Sequence, residues 1–105
     1  MNCSRNDVVL LPIPFTDLTS SKVRPAIVIG HGSFSGDLFV VPLTSVTSNA
    51  DFMLAHWRAA GLNVPSSVKS QVAIVDISLV RKVVGRLHPA DVVELDQSLR
   101  AWLQL

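Results

Sequence analysis

Two short stretches put polar side chains at the ends of apolar runs. Arg24 stands just before Pro25, at the start of an apolar run over residues 24–29. Proline biases the residue before it to extended backbone, so the Arg24 guanidinium projects from a fixed place. Thr44 and Ser45 follow Pro42 and Leu43, at the end of a second run over residues 38–43. Between the runs, residues 30–37 hold three glycines and read as a hairpin loop. A hairpin there sets the start of one run beside the end of the other, which makes Arg24 and Thr44 neighbours at one rim. A guanidinium beside a hydroxyl makes a small phosphate site. On spacing alone, an arginine in solvent and a threonine capping a turn account for the same residues.

Other chemistries have no footing. There is no phosphate-binding P-loop, no dinucleotide fingerprint and no nucleophile elbow. His31, His56 and His88 lack metal-ligand spacing, so neither a metal nor another cofactor is expected. The single cysteine, Cys3, can form no internal disulfide and no cysteine metal site. The net charge is +1, unevenly spread: residues 1–88 carry +3, and residues 89–105, with Asp91, Glu94 and Asp96 against Arg100, carry −2. Lys69, Arg81, Lys82 and Arg86 have only Asp76 among them as opposing charge. A modest basic face suits a polyanion; scattered, solvated charges fit the same numbers.

The elements that position these residues are short strands. Residues 7–15, 24–29, 38–43 and 71–75 are rich in large apolar and β-branched side chains and bounded by Gly, Ser, Asp or Pro. A fifth strand is expected over 81–87. Pro12, Pro14, Pro25 and Pro42 should fall at strand ends, edges or bulges. Short strands with sharp bends predict a small barrel rather than a flat sheet. Residues 51–61 are ambiguous. Their types suit a helix capped by Gly61, while Phe52, Leu54 and His56 alternate as in a strand. The last element is a helix beginning near Pro89, with Val92, Leu95, Leu99, Trp102 and Leu103 on one stripe and Asp91, Glu94, Asp96 and Arg100 off it. His88 would be a weak N-cap.

Residues 1–105 are expected to form one domain. No apolar run approaches the roughly 20 residues of a membrane span. No apolar stretch precedes Asp7, which predicts a cytoplasmic protein. With 49% hydrophobic residues on so small a domain, a subunit interface is expected.

In order and spacing, residues 7–18 (DVVLLPIPFTDL), 22–29 (KVRPAIVI) and 40–45 (VVPLTS) resemble the MazF/PemK-like toxins of type II toxin–antitoxin systems. Residues 61–69 (GLNVPSSVK), 75–81 (VDISLVR) and 85–87 (GRL) continue the likeness along nearly the whole chain. The resemblance implies a mainly β, SH3-like small barrel with a C-terminal helix, usually a homodimer. It implies a metal-independent endoribonuclease that cuts single-stranded RNA and is held in check by a cognate antitoxin protein. Such chemistry uses the RNA 2′-hydroxyl and leaves a 2′,3′-cyclic phosphate. By position, Arg24 resembles the family's catalytic arginine, Thr44 its phosphate-contacting hydroxyl, and Asp76 an acid–base aspartate of some members. Asp76 equally suits a cap on the turn after it. Ser45, Lys22, Lys69, Arg81 and Arg86 are the expected RNA contacts. The chain departs from those members at Ile74, where they carry arginine. Where they have a histidine and an acid in the first long loop, it has residues 16–22, with Asp17 the one acid. An inhibitor that acts by binding, as CcdB toxins of the same barrel do, is the alternative, with Trp102 as its candidate contact.

Overall fold

A computed structural model describes residues 2–12, 22–34, 36–46, 48 and 50–105. Three strands form its centre: β1 (Asp7–Pro12), β2 (Val23–His31) and β3 (Asp37–Thr44), with β1 and β3 antiparallel to β2 on its two sides. Strand β7 (Lys82–Arg86) lies on the outer edge of β1. The outer edge of β3 is shared. Its first half pairs with β6 (Ala73–Asp76) and its end with β5 (Ser67–Val68), outside which lies β4 (Phe52–Met53). The path is β4-β5-β3-β2-β1-β7 with β6 beside β3. A helix, α1 (Pro89–Leu103), follows. This is the expected mainly β architecture with a C-terminal helix. Among the described residues no ladder joins β4 to β7, so the path stays open.

Apolar side chains on the central strands run continuously because both faces are covered. Successive residues point to opposite faces. Val8, Ile27, Val41 and Leu43 meet Leu54, Val68, Leu87 and the helix residues Leu95 and Leu99 on one face. Val9, Leu11, Ala26, Val28, Leu38 and Val40 meet Cys3 and Val80 on the other. Register shifts at Val8/Val9 and Val28/Gly30 bend the strands.

Pro25 and Pro42 lie inside strands, each at a stretch where one edge has no ladder partner, as expected; other expectations are revised. Pro25 precedes the first β2–β3 pair, Ala26 with Pro42, and Pro42 falls where β3 passes from β6 to β5. Residues 51–61 form no helix: Phe52 and Met53 make β4, and a run of turns follows. Asp91, expected off the buried stripe, is only 2% exposed. Its two carboxylate oxygens accept the Ala55 and His56 backbone N–H groups, each at 2.9 Å, tying those turns to the helix start. Leu103, expected on the stripe, is exposed. His88 does cap the helix, its Nδ1 accepting the Ala90 N–H at 3.1 Å. Residues 13–15 of the first run, and Asp17, lie outside the described residues.

Candidate functional site

Strand register builds the site. On β1 and β2, Leu11 pairs with Arg24. On β2 and β3, Ala26 pairs with Pro42, and the same register continued by two residues sets Arg24 abreast of Thr44. Thr44 in turn pairs with Ser67 on β5, and Ser67 with Met53 on β4. On the far side Leu10 pairs with Lys82, so Arg81 falls beside Leu11. The result is one row across the sheet: Arg81, Leu11, Arg24, Thr44, Ser67, Met53. Directly opposed residues share a face, and strands lie about 4.8 Å apart. Arg24 is exposed and Thr44 half-buried. The β2–β3 ladder itself ends at Ala26 and Pro42, two residues inside the rim expected from the hairpin.

Thr44 also caps a turn. Its Oγ1 accepts the Val46 backbone N–H at 3.0 Å. That bond uses a lone pair of the hydroxyl oxygen and leaves its proton to donate. The two readings of Thr44 are thus compatible. Ser45 beside it is exposed, as is Lys22 just before β2. Lys69 follows β5, with its backbone N–H on the Pro42 carbonyl at 3.1 Å. Arg81 is exposed and anchored by its N–H to the Leu10 carbonyl at 2.8 Å. Lys22, Lys69 and Arg81 thus stand around Arg24 and Thr44 at one end of the sheet.

Two of the named residues are elsewhere. Asp76 pairs with Asp37 at the opposite end of β3, seven residues from Thr44; at strand rise that is roughly 23 Å. Its Oδ1 accepts the Ser78 N–H at 2.8 Å and caps the 3-10 turn Ile77–Leu79. The Ser78 backbone N–H first, and its hydroxyl second, hold the Asp76 carboxyl below the usual carboxylate range. Arg86 lies at the other end of β1, where Nη1 donates to Asp7 Oδ1 at 2.7 Å and Nη2 to the Arg5 carbonyl at 3.3 Å. Asp7 is nearly buried, so this cation compensates a desolvated carboxylate. The sequence clustering of Arg86 with Arg81 fails in space because β7 runs the length of the sheet between them. Ile74 is exposed on β6. Trp102 packs against the core from the last turns of α1.

Residues 4–103 match the family model of the PemK-like, MazF-like toxin of type II toxin–antitoxin systems. No curated protein sequence matches the chain. Among solved structures, the chain is similar to the Mycobacterium tuberculosis toxin MazF-mt6, at TM-score 0.74 and 16% identity over 94% of this chain and 97% of that one. MazF from Deinococcus radiodurans gives 0.73 and 23%, over 100% and 99%. An endoribonuclease from a mycobacterial species, in complex with its cognate antitoxin, gives 0.68 and 15%, over 100% and 97%.

Proposed function

The chain belongs to the PemK-like, MazF-like toxin family of type II toxin–antitoxin systems, and from that premise we propose that it is a metal-independent endoribonuclease acting on single-stranded RNA. What supports this reading is the β2–β3 register, which, continued two residues past the Ala26–Pro42 pair, brings Arg24 and Thr44 abreast on neighbouring strands. A scissile phosphate seated on the pair is attacked by the neighbouring 2′-hydroxyl. The 2′-hydroxyl proton passes to water, the 5′-oxygen leaves as a hydroxyl by taking a proton from water, and a 2′,3′-cyclic phosphate remains. Arg24 offsets the charge that gathers on the non-bridging oxygens. Thr44, its oxygen held by Val46 N–H, donates a hydrogen bond to one of them. Lys22, Ser45, Lys69 and Arg81 take the flanking phosphates, a sequence-independent grip that weakens with salt. In this reading Asp76 is a turn cap and Arg86 the partner of Asp7.

An arginine and a hydroxyl supply here the charge neutralisation that a metal supplies elsewhere. Among the described residues no three His, Cys, Asp or Glu side chains are grouped to hold an ion. The same basic end suits an acidic antitoxin segment, which would cover Arg24 and exclude RNA; it should co-purify and suppress cleavage. A second copy of the chain suits the apolar side chains exposed along and after α1, Val93, Leu103 and Leu105. The pair would work in the cytoplasm. The test is incubation of the pure protein with a long single-stranded RNA in EDTA. Fragments ending in 2′,3′-cyclic phosphate, with a 2′-deoxy residue at the cut site resisting, are expected. Intact RNA would overturn the reading.

A further inference from the structure

An exposed apolar side chain ends the phosphate row: Met53, on β4. Met53 is 56% exposed, although its strand neighbours Phe52 and Leu54 are turned into the core. The pairing of Met53 with Ser67, and of Ser67 with Thr44, puts the thioether on the same face as the hydroxyl. Two strand spacings, about 10 Å, separate Met53 from Thr44. A phosphate held at Arg24 and Thr44 carries nucleotides whose bases must lie against something beside the row. On the β4 side the surface is a flexible, polarisable thioether, suited to a flat apolar ring face.

We propose that Met53 is a specificity-determining residue, packing against one nucleobase next to the phosphate bound by Arg24 and Thr44. The inference rests on the reading of that pair as a phosphate site. It adds a base subsite at the β4 edge of the sheet. Arg24 and Thr44 act on the phosphate, common to every nucleotide; Met53 acts on a base, so its loss falls on KM and site choice and leaves kcat near its value. Met53 is exposed, so its truncation leaves the core intact.

The test is a cycle of binding measurements on uncleavable all-2′-deoxy heptanucleotides, each with one base replaced by an abasic site, against the wild type and Met53→Ala. For the wild type, one abasic position adjoining the bound phosphate should weaken binding about tenfold, the scale of a lost apolar contact in a site. In Met53→Ala that position should lose its effect, while Met53→Leu restores it. Phe34→Ala, an exposed apolar truncation in the loop between β2 and β3, should behave as the wild type. If every abasic position weakens the wild type and Met53→Ala by the same factor, the base subsite is wrong. Cleavage of the ribo-heptamers reads the parent proposal separately: coupling without cleavage keeps the subsite and removes the nuclease, and cleavage without coupling does the reverse.

Discussion

Asp76 shows how one residue carries two readings until its surroundings are known. Its place in the sequence suits an acid–base group and a turn cap equally. The structure puts it across from Asp37, at the far end of β3 from Thr44, with Ser78 bonded to its carboxylate. Asp76→Asn should therefore cleave at near the wild-type rate and melt at a lower temperature. The sign with pH follows from the depressed pKa. The ionised carboxylate is favoured in the folded state, so its contribution is present above the unfolded-state pKa and is lost as pH falls through the folded one. The gap in Tm between wild type and Asp76→Asn should be widest near neutral pH and close in acid. A large loss of rate at unchanged Tm would restore Asp76 as the base. The strand-end positions of Arg24 and Thr44 were legible because Pro25 fixes the backbone before it and Thr44 ends a run. Asp91 was not, since burial by two backbone donors from residues 55 and 56 leaves no periodic mark on the helix.

Among the elements, the long ones were legible and the short ones were not. Strands β2 and β3 each carry a run of β-branched residues long enough to state its own period. The two-residue strands β4 and β5 carry no period; they exist because β3 offers its last residues as an edge. They nevertheless complete the row, so part of the candidate site was beyond sequence reading. The turns after β4 are held by a backbone contact that two glycines permit. A Cβ on Gly61 would stand 2.2 Å from the Val84 carbonyl oxygen, and one on Gly85 would stand 2.4 Å from that of Ala60. Gly61 also has φ of +88°, a conformation that favours glycine. Gly85→Ala must push two backbones apart and should cost about 1–3 kcal/mol, several degrees in Tm by thermal melting. An unchanged Tm would mean the crossing is looser than described.

At the scale of the whole molecule, the chain places its cations by folding rather than by sequence neighbourhood. Arg81 and Arg86 are five residues apart, yet one joins the row and the other neutralises Asp7 at the far end. The fold class was legible from strand count and the terminal helical stripe; which cations share a face depended on register. The exposed apolar residues on α1 predict that light scattering will give about twice the 11.4 kDa chain mass, and a monomer at micromolar concentration would contradict the pairing. The central claim is that Arg24 and Thr44 form the cleavage site. Its most direct test is the single-turnover cleavage rate of wild type, Arg24→Ala and Thr44→Ala on one single-stranded RNA, in EDTA, with folding checked by circular dichroism. Losing a fixed cation at the reacting phosphate should cost about 10²–10³ in rate. Losing a neutral hydrogen bond of roughly 0.5–1.5 kcal/mol should cost about tenfold. A folded Arg24→Ala protein that cuts at the wild-type rate would contradict the account.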